Sequence, residues 1–455
     1  MSNEKNMREG SVGKLLLTMS LPVIVIMLVQ VIYNMADVFF LGRTGDPMQV
    51  AAVSLAAPVF SVFSAFNTLI GFGGCTAVSL ALGAGDQKKV KQYSSFVLYA
   101  GLIMGTAVAA AALIGLDPLL KVLGTNAQTE IYARQYLKIM AFGAPFAIAG
   151  GALGNAVRAD GDSKGAVIAS MTGTMANIVL DPILISVLGM GVVGAGLATL
   201  AGNVISFILL LGTVKKKEAF SLSLKDLSLK PQISMKVLGL GLPMAAGTLL
   251  MSFSSAFSNR LLVNYGNEAV AAQGVAGKAG MMVSMIVMGI AMGMQPAISF
   301  LFGAGEKKRL RKVLLGTGLC AVLAGTVLGG ALLIGRTGFV SAFVSDETLQ
   351  ALGRRMVVGG VIAAPLFGIY QLCSVYLQST GKVSYATVTA LMQKGLVYVP
   401  VLYMMDLWLG LTGLIYAAAV TDVISTLAAL AFCLLWARKQ EKTKRSPSRR
   451  VPAGI

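Results

Sequence analysis

The stretch Leu80-Ala-Leu-Gly-Ala-Gly-Asp-Gln-Lys-Lys-Val90 returns 220 residues later as Phe300-Leu-Phe-Gly-Ala-Gly-Glu-Lys-Lys-Arg-Leu310. Leu21-Pro22 answers to Leu242-Pro243, Ala144-Pro145 to Ala364-Pro365, and Gly161 to Gly381. A repeat at half the chain length means two copies of one structural unit, which constrains the fold more than any local pattern. The units are apolar. The chain is 56% hydrophobic and 12% charged with mean hydropathy +0.78, whereas soluble proteins carry about 25% charged residues. Together these features point to a membrane transporter that holds its substrate between two similar bundles.

Apolar runs of roughly 20 residues, enough to cross ~30 Å of hydrocarbon, recur along the chain. We read twelve, at 15–41, 50–80, 93–115, 131–155, 164–188, 191–213, 236–263, 268–301, 313–335, 352–378, 384–405 and 409–436. Both Gly-Ala-Gly motifs lie in Lys-rich loops, hence on one side, so the repeat unit holds an even number of spans. Six plus six fits, as parallel repeats about an axis along the membrane normal. The expected fold is therefore all-α and integral to the membrane. Its parts are an N-lobe at 1–213 (spans 1–6), a linker at 214–235, a C-lobe at 236–437 (spans 7–12) and a basic tail at 438–455.

A formal net charge of +18 would suit a nucleic-acid partner, but the placement of the charge argues against one. Of 37 Lys and Arg residues, 27 fall in alternate loops and the two tails and only 8 on the opposite side. This bias is the positive-inside rule, and it sets both termini in the cytoplasm. The basic tail is expected to be drawn to anionic lipid headgroups. The first ten residues are charged and no small-residue cleavage site follows, so span 1 reads as a retained helix. Cys75, Cys320, Cys373 and Cys433 lie within spans as small packing residues, and without histidine there is no metal-ligand spacing. No phosphate loop and no nucleophile–base pair appears, so the chain does not read as an enzyme and needs no cofactor.

Few acids lie in spans. Asp37 and Asp181 sit ~6 Å and ~10 Å from the outer ends of spans 1 and 5, and Thr199 ~12 Å from that of span 6, at 1.5 Å per residue. Tyr33 and Asp37 are four apart, as are Asn177 and Asp181, and Asn34 is three from Asp37. Residues so spaced share a helix face. Two carboxylates at membrane depth can exchange a proton, or hold Na⁺ with Asn and Thr oxygens, and so trade a small cation for a drug-sized one. The alternative is that each acid merely hydrogen-bonds a neighbouring helix. Pro22 and Pro182 lack the N–H that a helix needs and free the carbonyls of Thr18 and Ile178. Both are expected to bend their spans.

The second half lacks these acids and carries Lys278, Lys394 and Asp422 instead, with a salt bridge from either lysine to Asp422 in view. Met281, Met285, Met288 and Met292 repeat along span 8, and Phe60, Phe63 and Phe66 along span 2. Such stripes suit flat organic cations, but lipid-facing or core packing is the simpler explanation, because apolar faces are what spans are made of. Lys278 and Lys394 are further candidates to line a substrate path.

These residues resemble the multidrug and toxic compound extrusion (MATE) transporters from about Gly13 to Trp436. The matching pieces, in order, include Ser20-Leu21-Pro22, Asp37 before Gly42, the Gly-Ala-Gly-acid loops and Arg158-Ala-Asp-Gly-Asp-Ser-Lys164. Asn177 with Leu180-Asp181-Pro182, and Gly194-Ala-Gly-Leu-Ala-Thr199, complete the set. The resemblance implies a V-shaped pair of six-helix lobes that expels organic cationic drugs or dyes on an H⁺ or Na⁺ gradient, with alternating access and bending near Pro22. Matched position by position, it puts a cation site at Asp37, Asn177, Asp181 and Thr199 beside Tyr33. It also implies a multi-pass protein of a bacterial-type inner membrane, functional as a monomer among membrane lipids. Spans 7 and 10 lack the acids that some members use, which favours coupling in the first half. Gln393-Lys394 stands where many members have Arg-Gln. Two other readings remain: a dedicated metabolite or lipid-linked saccharide exporter of the same superfamily, and a passive channel.

Overall fold

Polar residues stand where the helices begin. Asp46, Asp86, Asn126, Asp162 and Asp346 each accept a backbone N–H from the first turn of the helix that follows. These contacts satisfy donors that a helix cannot satisfy itself. The computed structural model describes residues 2–445, with the side chains of 2, 3, 31, 32, 34–38 and 440–445 outside that description. Between the caps, among the described residues, the apolar runs form twelve membrane-length helices. In chain order these spans are Val12–Gln30, Pro47–Gly83, Gln87–Ile114, Ala127–Asp160, Ser163–Val187, Gly191–Lys215, Pro231–Val263, Asn267–Gly303, Lys307–Ser341, Glu347–Ser379, Val383–Leu409 and Leu411–Lys439. Span 1 continues as helix to Gly42. Most helices outrun the expected spans by several residues, because caps and charged first turns prolong a helix beyond its apolar stretch.

The sequence repeat reappears as a backbone repeat. Gly85 and Gly305, 220 residues apart, turn the two Gly-Ala-Gly loops at φ 75° and 73°. Only glycine adopts that left-handed conformation at little cost. Pro22 follows a π-turn at Leu16–Ser20, and Pro182 opens another at Pro182–Val187. A missing N–H breaks the α-helical ladder at both places. A third π-turn, Met392–Leu396, lies in span 11. The carbonyl of Ile290 in span 8 accepts from Ser20 Oγ at 2.9 Å, which ties the first π-turn to the second repeat.

The repeats meet through spans 1, 2, 7 and 8. A Cβ on Gly241 of span 7 would overlap the Leu69 carbonyl of span 2, and one on Gly83 would overlap the Phe300 carbonyl of span 8. Here the helices touch backbone to backbone, as small residues allow in membranes. Gln295 Nε2 donates to Thr76 Oγ1 at 2.8 Å within the same buried seam.

The segments that lead into spans 1 and 7 are clasped in matching ways. Before span 1, the N-terminal helix Ser2–Glu9 lies against the loop between spans 8 and 9. Arg309 Nε donates to the Met7 carbonyl at 3.1 Å, another Arg309 nitrogen donates to Gly10, Arg8 lies 3.7 Å from Glu306, and Met7 is buried. Before span 7, the Ser221 N–H donates to Ser94 of span 3 at 3.0 Å. The carbonyls of Ser223 and Leu222 accept from Ser95 and Tyr99 at 2.7 and 2.8 Å. Lys217 Nζ lies 2.5 Å from Asp160 and 3.3 Å from Asp162.

Gly83→Val is expected to lower stability by about 1–3 kcal/mol, the usual cost of overpacking. Gly212→Ala, at a position with nothing within 4 Å, is expected to be neutral. Thermal unfolding in detergent separates the two outcomes.

Candidate functional site

In the first repeat, spans 5 and 6 run side by side because Gly173 and Gly202 face each other without side chains. That contact sets the Asn177 side chain beside span 6, where Asn177 Nδ2 donates to Thr199 Oγ1 at 3.4 Å. From span 1, the Tyr33 hydroxyl meets the same Thr199 oxygen at 3.3 Å. Asp181 lies one turn beyond Asn177, directly before Pro182 and its π-turn. Asp181 is 0% exposed, Asn177 2% and Thr199 6%. Three spans thus bring Tyr33, Asn177, Asp181 and Thr199 into one region. Asn34 and Asp37 are helical, but their side chains lie outside the described residues.

At ~1.5 Å per residue, Asp181 is ~9 Å and Thr199 ~12 Å from the ends of their spans on the side away from the Lys-rich loops. A carboxylate without exposure at that depth needs a proton or a cation to offset its charge. Asn177 Oδ1, buried and without a hydrogen-bond donor among the described residues, is an oxygen available to such an ion. The chemistry fits a small, hard cation with oxygen ligands or a proton held on a carboxylate.

The other candidates divide. Phe63 is buried in the first repeat, and Phe60 packs against it with ring centroids 6.1 Å apart and against Tyr136 at 5.9 Å. Phe66 and Met288 pack onto the same core. Met292 is buried, Met285 is half-buried and Met281 is exposed, so the methionine stripe does not share one environment. Lys278 is exposed, with its ammonium 5.0 Å from the centre of the Phe343 ring. The ion pairs considered for Asp422 do not form. Neither lysine comes within 4.0 Å of it, and its Oδ1 instead accepts from Gln393 Nε2 at 3.1 Å. Sequence reasoning noted Gln393 only as a departure from a pattern. Its role as the carboxylate's partner follows from the π-turn that carries it.

The MatE family model matches the chain twice, over residues 22–183 and 243–404. Multidrug export protein MepA of Staphylococcus saprophyticus is 32% identical over 429 residues, covering 93% of each chain. MepA of Staphylococcus aureus is 30% identical over 426 residues, also covering 93% of each. Among solved structures, an outward-facing multidrug resistance MATE family transporter of the MOP superfamily aligns with TM-score 0.91 at 23% identity, over 97% of this chain and 99% of that one. A MATE structure described as bent aligns with TM-score 0.91, again at 23% identity, over 98% and 100%.

Thr199→Val keeps the shape of the side chain but removes the oxygen that Tyr33 and Asn177 share. Loss of one such hydrogen-bonding centre is expected to slow transport about tenfold while the purified protein keeps its elution profile. Initial rates in proteoliposomes check this.

Proposed function

We propose that this chain, which belongs to the multidrug and toxic compound extrusion (MATE) family of membrane transporters, exports organic cations in exchange for H⁺ or Na⁺. The observation that carries the proposal is the fully buried Asp181 one turn from Asn177, whose side chain shares Thr199 with Tyr33 at membrane depth. The MepA relatives, named as multidrug export proteins, support a drug-sized cargo. Asp37, one turn past Tyr33 on span 1, is the second acid of this site.

In this reading the small cation and the drug compete for the same negative charge. Binding of H⁺ or Na⁺ at Asp37 and Asp181 neutralises the site, and the cationic cargo leaves. Each proton that crosses with the field supplies about 2.3 kcal/mol per 100 mV. Bending at the π-turns beside Pro22 and Pro182 lets spans 1 and 5 transmit the change. The Lys and Arg bias sets both termini in the cytoplasm. The bacterial relatives support a bacterial-type inner membrane, and in this reading the protein works there as a monomer. A dedicated exporter of an anionic metabolite or lipid-linked saccharide is the second reading, favoured by the lysine inside the second repeat.

Efflux of ethidium from vesicles, with ΔpH and ΔNa⁺ imposed separately, identifies the coupling ion. Asp181→Asn is expected to reduce gradient-driven efflux to background while the protein still inserts and purifies normally. Efflux by Asp181→Asn at the wild-type rate would refute the assignment. Failure of the wild-type protein to move any cationic dye would favour the dedicated exporter.

A further inference from the structure

On the Lys-rich side the two repeats finish one corner in opposite ways. In the first repeat the corner is the loop between spans 4 and 5, set against the end of span 6. Gly161 turns that loop at φ 85°, and Gly381 turns its counterpart between spans 10 and 11 at φ 76°. Gly191 and Gly410 stand at the starts of spans 6 and 12 at φ 53° and 58°, which fixes the register of those two spans. By these anchors Thr380 stands for Asp160, Lys382 for Asp162 and Trp436 for Lys217. In the first repeat both acids neutralise Lys217 Nζ, at 2.5 and 3.3 Å. In the second, Trp436 Nε1 donates to Thr380 Oγ1 at 3.2 Å, and the Lys382 ammonium stands 4.0 Å from the centre of the Trp436 ring. The acids have gone and a cation has come.

A second cation reaches the same corner. A Cβ on Gly381 would sit 3.6 Å from Nζ of Lys236, which belongs to span 7. No carboxylate lies within 4.0 Å of either ammonium among the described residues. Lys236 is exposed and Lys382 half-buried, so both are open to a ligand. At ~1.5 Å per residue, Trp436 is ~5 Å from the end of span 12 and Lys236 ~8 Å from the start of span 7. That is headgroup depth, where tryptophan rings settle. Deeper in, the corner continues as an apolar wall. Tyr385 stacks on Phe432 with ring centroids 5.2 Å apart and planes 6° from parallel. Lys382, Tyr385 and Val388 follow at steps of three, and Trp436 lies four from Phe432, so each set shares a helix face. Val388 is 41% exposed.

We propose that Lys236, Lys382 and Trp436 form a binding site for the headgroup of an anionic phospholipid. The two ammoniums take the phosphate oxygens in charge-assisted contacts. The indole ring borders the glycerol, and one acyl chain descends along Tyr385, Phe432 and Val388. A soluble phosphate would use the lysines alone and gain nothing from that wall, so the occupant is a lipid. Anionic lipids are concentrated in the cytoplasmic leaflet, the side to which the charge bias assigns this corner. The first repeat does not bind in this way, because Asp160 and Asp162 already hold its lysine. The lipid therefore attaches to one repeat only, bridging the starts of spans 7 and 11 and the end of span 12. This site goes beyond the export reading and does not depend on the cargo or on the driving ion.

Tryptophan quenching tests the site, because the chain has two tryptophans and Trp408 is 73% exposed near the far end of span 11. Trp408→Phe therefore leaves Trp436 as the reporter. That full-length protein is reconstituted in bilayers of brominated phosphatidylglycerol and phosphatidylcholine at varied ratio, and emission gives their relative affinity with no transport step. Phosphatidylglycerol is expected to be preferred about twentyfold, each lysine accounting for about fivefold, the scale of one cation at a charged membrane surface. Lys236→Met with Lys382→Met is expected to bring the two lipids to parity. Lys308→Met with Lys312→Met, which removes two exposed lysines at the start of span 9, is expected to keep the preference. Equal quenching by both lipids before any lysine is changed would overturn the site. So would a preference that survives loss of Lys236 and Lys382, since it would belong to the basic tail at 438–455. Equal weakening by the Lys308 and Lys312 pair, the mark of diffuse charge, would overturn it too. If the Lys236 and Lys382 pair does not purify, Lys236→Met alone is expected to cost about fivefold, and no change there would count against the site. Displacement of the brominated lipid by soluble glycerol phosphate would overturn the choice of a lipid.

Discussion

The seam where span 2 lies against spans 7 and 8 is the contact on which the rest of the molecule depends. There is no hydrophobic drive to bring helices together in lipid, so association rests on close packing and interhelical hydrogen bonds. The chain supplies both at one place. Gly83 and Gly241 let backbone meet backbone, and Gln295 with Thr76 adds a buried polar link. Because this contact is made by carbonyls, it tolerates little sliding.

A pair of clasps reinforces the seam and shares its symmetry. The chain before span 1 is held by Arg309 at the start of span 9, and the chain before span 7 is held by Ser94, Ser95 and Tyr99 at the start of span 3. Spans 3 and 9 are equivalent under the repeat. The bonding differs in kind. The first clasp uses a guanidinium on carbonyls and a partly exposed ion pair, which is individually weak. The second uses hydroxyls on carbonyls, with Lys217 on two acids. Duplication has preserved the arrangement, while the side chains that maintain it have diverged.

The same divergence separates the two polar sites. Tyr33, Asn177 and Thr199 were legible from the sequence because a polar residue in an apolar helix is conspicuous, and helical rise places it at a depth. Asp181 was legible for the same reason. The partners of Asp422 were not. Counting residues brought Lys278 and Asp422 to comparable depths and put an ion pair from either lysine to Asp422 in view. The outcome turned on which way each side chain faces. Lys278 is exposed toward Phe343, and the π-turn in span 11 rotates Gln393 onto Asp422 while turning Lys394 over Phe367. A single added residue in a helical turn shifts every later side chain around the axis, and hydropathy carries no trace of it. The Phe and Met stripes were ambiguous in sequence, and the packing of Phe60, Phe63 and Met288 against the first-repeat core shows that shape decided their surroundings.

Span number and the twofold repeat of six spans were set by the sequence alone, since each follows from quantities that act one residue at a time: apolar length against bilayer thickness and glycine against positive φ. Tertiary structure alone decided which spans meet through bare backbone, which leading segment is gripped by which repeat, and which of two lysines turns toward the interior. Those outcomes depend on distances between groups far apart in the chain and on the rotation that three π-turns impose, so they exist only once the helices have packed.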